Sequence, residues 1–393
     1  MKKKDYPLYE IAPEISSVSD MLEKKAAECP DRIAFCYRKG RSNIEEKTYA
    51  QVLREVRCAA GYVEKTYGKG KRIAIIGENS YEWLIAYFAA VTSGNVAVPI
   101  DKELPADEVE WLVNKAEAEG AFVSKTYKDL VENIRGINYM TLKQLQDAAS
   151  EEDGSYELFK PQGDELACII FTSGTSGKSK GVMLSQGNIA AEITETCKMF
   201  DPEGEKTLVV LPFHHAFGLN VAVLMAYNYG VTAFLNKSLK RVKEDLLLAK
   251  PDIIMLVPLF IEAFYRQIML SVKKDGKLNK LKKGIRLSRL MMKVGVDKRR
   301  EIFKDIHAVF GGNLKYIISG GAHVDTMYVK VFRDFGIEIL NGYGTSECSP
   351  CVAINRNYYK KDGSVGQIIP KTEVRISEEG EVQFKGPSNM MGY

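Results

Sequence analysis

The residues best placed to do chemistry lie in Thr172-Ser173-Gly174-Thr175-Ser176-Gly177-Lys178-Ser179-Lys180-Gly181. Glycines let a backbone turn sharply and bring its N–H groups close to an anion. Hydroxyls add donors, and the two lysines add charge, so the stretch has the make-up of a phosphate-binding loop. It follows the apolar run Ala167-Cys168-Ile169-Ile170-Phe171, which reads as a buried strand. A flexible Gly/Ser linker is a poor fit, because linkers do not usually leave a buried strand or carry paired lysines. Thr172 to Ser179 nearly matches the Walker pattern G-x-x-x-x-G-K-[ST], with Thr172 in place of the first glycine. A Walker loop, however, runs straight into a helix whose N-terminus faces the phosphates. Here Lys180 to Ser185 reads as a second short strand, and the next helix start is expected at Asn188 as N-cap.

A second cluster is Asn341-Gly342-Tyr343-Gly344-Thr345-Ser346-Glu347, which leaves the probable strand Ile337-Glu338-Ile339-Leu340. Tyr343 offers a flat face for a base, and the Asn341 amide can read the edge of adenine. Ser346 can bond a phosphate oxygen, and Glu347 is a hard oxygen ligand suited to magnesium. Taken alone the stretch could be an ordinary turn. Beside a glycine-hydroxyl-lysine loop, it points to a nucleotide triphosphate.

The elements that must position these loops alternate as in an α/β protein. Strands are expected at Arg72–Ile76, Val96–Pro99, Ile253–Val257 and Tyr316–Ile318, with helices at Tyr81–Val91, Ala106–Ala116, Leu259–Met269 and around Val329. Leu208 to Leu235 parses as strand, active-site loop, helix and strand, and Val374–Ile376 with Val382–Phe384 as an antiparallel hairpin.

With these motifs in place the chain resembles the adenylate-forming superfamily of acyl-CoA synthetases, aryl-acid ligases and peptide-synthetase adenylation domains. The first loop is similar to T-S-G-T-[TS]-G-x-x-K-G, with Ser179 where proline is usual. The second is similar to Y-G-x-[TS]-E. Leu211-Pro212-Phe213-His214-His215-Ala216-Phe217-Gly218 resembles the histidine motif beside the acyl pocket, and Ser319-Gly320-Gly321-Ala322 the segment lying along nucleotide and acyl group. Gly380-Glu381-Val382, Gly386-Pro387 and Gly392-Tyr393 extend the likeness to the end of the sequence. The resemblance implies an α/β fold of two packed α/β subdomains plus a small β-barrel-like one. The expected division is approximately 1–335 for the α/β pair and 336–393 for the β-rich remainder, all of it the superfamily's large domain.

The implied reaction is ATP-dependent activation of a carboxylic acid to an acyl adenylate, followed by attack of a thiol. ATP and magnesium are the implied cofactors, with coenzyme A as co-substrate or a carrier protein's phosphopantetheine in its place. The catalytic residues carried over are Lys178, His215 and Glu347, with Glu347 on the metal. Thr172, Ser173, Gly174, Thr175, Ser176, Gly177, Lys180, Gly320, Gly321, Ala322, Asn341, Gly342, Tyr343, Gly344 and Ser346 are carried over to ATP or AMP. His215, Phe217, Gly320 and Gly342 are carried over to the acyl pocket. His214 is the alternative to His215, as a polar residue on the pocket wall. Amino-acid-activating relatives place an aspartate where Ala216 stands, and an unpaired buried ammonium would be costly. A medium- or long-chain fatty acid is therefore the expected substrate. A module that binds nucleotide or acyl group without turnover is the non-enzymatic reading. The relatives continue past Gly392-Tyr393 into a T-G-D segment and a mobile C-terminal domain carrying a further lysine. These 393 residues alone are accordingly expected to bind nucleotide weakly and to turn over little.

Composition sets the remaining bounds. A net charge of +4 is too small to argue for nucleic acid. Seven irregularly spaced cysteines suit a reducing compartment such as the cytoplasm better than a disulfide framework, and Cys348-Ser349-Pro350-Cys351 has no second C-x-x-C to pair with. Met1-Lys2-Lys3-Lys4 is followed by polar residues, unlike a signal peptide. Residues 273–300 interleave lysines and arginines with Ile285, Leu287, Leu290, Met291, Met292 and Val294. They read either as a solvated helical insertion with a core-facing stripe or as a basic amphipathic surface for anionic membrane at the inner face of a cell. This insertion, with Asp101-Lys102-Glu103-Leu104-Pro105 upstream, looks most like the bacterial long-chain fatty acyl-CoA synthetase branch.

Overall fold

Two twisted sheets carry the architecture of the computed structural model, which describes residues 7–40, 43–162, 164–172 and 179–393. The larger has nine strands in the order Gln367–Ile368, Cys351–Ile354, Glu338–Gly344, Tyr316–Ser319, Ile253–Leu256, Lys206–Val209, Thr232–Leu235, Ile33–Lys39 and Asn43–Thr48. Its central pairs are parallel, and its edges are antiparallel. The smaller has six strands in the order Asn138–Thr141, Gly120–Val123, Arg72–Ile76, Val96–Ile100, Leu166–Thr172 and Lys180–Ser185. Only its last pair is antiparallel. Central parallel strands are covered on both faces, which is why Ile253-Ile254-Met255-Leu256 can be apolar throughout and buried throughout.

One continuous core joins the two sheets. Val56, Phe88 and Ile170 pack in the same buried cluster as Leu208, Val223 and Ile318. The helix Tyr81–Thr92 runs through it with every residue but Glu82 buried, so an all-round apolar sequence is what this position demands. A second cluster, including Ala74, Val98, Val109 and Val123, lies against the helix Ala106–Lys115. The small β-rich part is the hairpin Glu373–Ile376 with Val382–Lys385, as its alternation predicts. The strand Glu338–Gly344 pairs with Tyr316–Ser319, so the nine-stranded sheet draws residues from both sides of position 335.

The expected strands form where the apolar runs place them, and two helices differ in their bounds. The helix after Lys180–Ser185 starts earlier than Asn188, spanning Gln186–Cys197 with Ser185 as its N-cap. Asn188 instead closes a capping box: the Asn188 N–H donates to Ser185 Oγ at 3.0 Å, and the Ser185 N–H donates to Asn188 Oδ1 at 2.9 Å. Both residue types favour helix starts, and the one whose backbone stays extended becomes the cap. The helix expected at Leu259–Met269 runs further, over Pro258–Lys274, because nothing in its polar last turns stops it.

This cap sets the direction of the chain as it leaves the glycine-hydroxyl-lysine loop. Ser185→Ala should lower stability by about 1–2 kcal/mol, seen as a lower urea midpoint with an unchanged slope. An unchanged midpoint would show that the reciprocal bonds contribute nothing.

Candidate functional site

Four neighbouring parallel strands end at one place. Lys206–Val209 leads to Leu211 and Pro212, Ile253–Leu256 to Val257, Tyr316–Ser319 to Gly320 and Gly321, and Glu338–Gly344 to Thr345 and Ser346. All of these residues line a single cavity of about 360 Å³. The crevice at the carboxyl ends of parallel strands is where open α/β sheets bind ligands. His215, Ala216, Phe217 and Gly218 close another side, at the start of a helix of the wide i→i+5 type, Phe217–Met225.

Two glycines make this convergence possible. A Cβ on Gly344 would lie 1.7 Å from the Pro350 carbonyl oxygen, and one on Gly218 would lie 2.0 Å from that of Pro212. Both are backbone-to-backbone contacts that no side-chain rotation could relieve. Gly320 lies against the Phe217 ring, where a Cβ would come to 3.2 Å. The structure thus brings His215, Phe217, Gly320, Gly321, Gly342, Tyr343, Gly344 and Ser346 together around one space.

Glu347 faces an adjoining cavity of about 470 Å³, which shares Tyr343 and Thr345 with the first. Burial pushes the Glu347 carboxyl up, but hydrogen bonds from its own backbone N–H, Thr345 and Tyr393, with the Lys180 charge, outweigh it and hold it below the usual carboxylate range. The Tyr393 hydroxyl donates to Glu347 Oε1 at 2.9 Å, and Lys180 Nζ sits 4.8 Å over the Tyr393 ring. An ionised, half-buried carboxylate of this kind fits a hard divalent cation.

The remaining expected residues are less gathered. Ser173, Gly174, Thr175, Ser176, Gly177 and Lys178 lie outside the described residues. Thr172 and Lys180 face each other across the antiparallel pair that flanks them. Ala322 is exposed and does not line the cavity. Asn341 points away as well: strand side chains alternate, and Asn341 shares a small separate space with Val324, Arg333 and Asn355. Its Oδ1 is buried there with no hydrogen-bond partner. Sequence reasoning missed Ser319, Thr345 and Thr196, which line the main cavity, and Tyr393, which holds Glu347. Thr345 sits inside a quoted motif, so position signalled it; Thr196 lies on a helix with no motif.

His214 and His215 take different sides. Their rings are 4.2 Å apart. His215 lines both the main cavity and a wider one of about 1000 Å³, whereas His214 lines only the second. Burial lowers the pKa of each, and Asp101 opposes. The Asp101 carboxylate approaches His214 Nε2 to 3.5 Å. His307 is buried and its Nε2 meets the Phe335 carbonyl at 2.8 Å, a structural role, while His323 is exposed. Cys348 and Cys351 are both buried free thiols whose pKa burial pushes up.

Comparison with known proteins adds the following. The family described as AMP-binding enzyme matches residues 22–393. The long-chain-fatty-acid–CoA ligase FadD15 of Mycobacterium bovis is 27% identical over 388 residues, covering 88% of this chain and 63% of the relative. Long-chain-fatty-acid–CoA ligase 6 of Rattus norvegicus is 24% identical, covering 83% of this chain and 54% of the relative. The chain therefore spans somewhat over half the length of these relatives. Among solved structures, the anthranilate CoA ligase AuaEII in complex with anthranoyl-AMP superposes with a TM-score of 0.77 at 17% identity, over 96% of this chain and 70% of the other. The N-terminal domain of FACL13 from Mycobacterium tuberculosis superposes with a TM-score of 0.75 at 19% identity, over 96% and 91%. These likenesses show that the fold is that of the large domain of adenylate-forming enzymes.

The buried histidine pair makes stability depend on pH in a defined direction. His214 is lowered to about 4, first by burial and then by the His215 charge. The unfolded chain takes up that proton near pH 6.5, so between about pH 6.5 and 4 it binds more protons than the folded chain. Stability from this group is complete above that range and falls on acidification through it. His214→Gln should flatten the loss in urea midpoint between pH 6.5 and 4.5; an identical loss in the variant would assign the acid sensitivity elsewhere.

Proposed function

Because the chain belongs to the AMP-binding enzyme family, we propose that it activates a fatty acid with ATP, releasing pyrophosphate, and passes the acyl group from the adenylate to the thiol of coenzyme A. The observation that carries this reading is the convergence of Gly320, Gly321, Tyr343, Ser346 and His215 on one cavity beside an ionised Glu347. A carboxylate is already ionised at neutral pH and needs no general base to attack the α-phosphate. The obstacle is repulsion between the acid and a polyphosphate, so the site must orient both and neutralise charge.

The roles follow from that need. Thr172, Ser173, Thr175, Ser176, Lys178 and Lys180 take the phosphates, with Ser346 on a phosphate oxygen. Tyr343 takes the adenine face. Glu347 would hold magnesium, which would supply positive charge against the phosphates. His215, kept neutral by burial, offers one donor and one acceptor between acid and nucleotide. The walls contributed by Leu211, Phe217, Val221, Val257, Ile318 and Ile354 suit an alkyl chain. Ala216, buried on the same wall, offers no charge to an α-ammonium. The substrate class and the thiol acceptor named for the ligases above support a fatty acid and coenzyme A. Acid-dependent exchange of pyrophosphate into ATP by the full natural chain tests the reading. Fatty acids should support the fastest exchange; fastest exchange with an α-amino acid would overturn it.

We also propose contact with an anionic membrane through residues 278–296. The helix Leu278–Lys293 turns Leu281, Ile285, Ser288 and Met291 inward and leaves Leu287 and Leu290 exposed, with Val294 and Val296 just beyond its end. Lys280, Lys282, Lys283, Arg286, Arg289 and Lys293 surround this apolar ridge, a pattern for lying in the headgroup region. No helix among the described residues is long and apolar enough to cross a membrane. Reversing Lys280, Lys282 and Lys283 to glutamate should reduce co-sedimentation with phosphatidylserine vesicles about tenfold, and added salt should mimic it. Equal sedimentation of parent and variant at low salt would refute the contact.

A further inference from the structure

Among the apolar side chains that line the cavity at the end of the helix Gln186–Cys197 stands one hydroxyl. Thr196, on that helix, lines the cavity together with Val221, Cys351 and Ile354. One turn earlier on the same helix lies Glu192, 0% exposed. The Thr196 hydroxyl donates to Glu192 Oε1 at 3.2 Å, while Glu192 Oε2 has no hydrogen-bond partner. Asn220, on the helix Phe217–Met225, is also buried, with Nδ2 donating to the Ser349 carbonyl at 2.8 Å and Oδ1 unpartnered. Burial raises the Glu192 carboxyl to about 8, so it is neutral and carries a proton of its own.

Buried polar atoms without partners are rare because each forfeits its hydration, and a buried carboxyl needs a reason. Packing alone would favour an apolar residue here, as at Ile189 and Ile193 on the same helix. The thiols of Cys197, Cys348 and Cys351 feel the Glu192 carboxyl electrostatically, and thiols are weak hydrogen-bond partners. A saturated alkyl chain against this wall would offer the Thr196 oxygen no hydrogen bond. A hydroxyl would: it can donate to the Thr196 oxygen, whose own proton is directed at Glu192.

We propose that Thr196 and Glu192 form a polar recognition point within the acid cavity, and that the preferred substrate is a fatty acid bearing a hydroxyl along its chain. This rests on the acid-activating reading above and narrows its substrate class. Thr196 is here a specificity-determining residue, and Glu192 positions it.

The test is a kcat/KM comparison of hydroxylated, amino-substituted and unsubstituted fatty acids of equal length, by acid-dependent ATP–pyrophosphate exchange with the full natural chain. One hydroxylated acid should exceed its unsubstituted counterpart by about tenfold, the worth of one hydrogen bond to a buried polar group. Thr196→Val should bring the ratio of the two kcat/KM values close to one. Glu192→Gln, which keeps a partner for Thr196, should retain the preference, and Glu192→Leu should lose it. Ratios near one for every hydroxyl position, unchanged in Thr196→Val, would overturn the proposal while leaving acid activation intact. Preference for the amino acids would overturn it in favour of a charged Glu192. Exchange with no acid at all would instead sink the activity itself and the inference resting on it.

Discussion

Everything at the site depends on two places where one backbone lies directly on another. Gly344 meets the Pro350 carbonyl, and Gly218 meets that of Pro212, with no room for a Cβ at either. The first contact folds Cys351–Ile354 back against Glu338–Gly344, setting Tyr343 and Ser346 at the strand ends. The second turns the chain from Pro212 through the bend that carries His215 to the helix that begins at Phe217. Side chains at either position would have to push whole strands apart, and closely packed interiors resist such shifts. The cavity is in this sense defined by backbone contact, and its side chains are mounted on it.

Much of the fold was legible because the central strands are buried on both faces and read as uninterrupted apolar runs. Ile253-Ile254-Met255-Leu256 and Arg72-Ile73-Ala74-Ile75-Ile76 are of this kind, and the structure forms both. The hairpin near the end was equally readable from its turn at Gly380, which has a positive φ of 86°. Helix starts were harder, since Ser185 and Asn188 are both good caps and only the backbone conformation decides between them. Sheet order was not legible at all, because strand adjacency is set by long-range packing that no local pattern encodes.

The site was legible where its function rests on loops with special composition. His215, Phe217, Gly320, Gly321, Gly342, Tyr343, Gly344 and Ser346 lay in motifs and met in space. Asn341 shows where this way of reading fails. A motif names a residue but not the face of the strand it points from, and alternation places Asn341 opposite the cavity that Gly342 lines. Thr196 and Glu192 show the complementary failure. Single polar residues on a buried helix carry no sequence signal, and only burial with an unpartnered atom reveals them.

The electrostatics of the cavity have a consistent logic of their own. Among the described residues at the cavity's edge, Glu347 is held ionised, with the Lys180 charge among the causes. Deeper groups are held neutral: burial lowers His215 and raises Glu192. A fixed charge deep in the cavity would either repel an acid's carboxylate or trap it in an ion pair, and either outcome would slow its attack on phosphate. Neutral hydrogen-bonding groups can orient the same carboxylate without consuming its nucleophilicity. His215 occupies the position where that restraint matters most, since it lines both the cavity for the acid and the wider one behind it. An uncharged imidazole presents one donor and one acceptor, rather than a fixed charge, to the two spaces it lines.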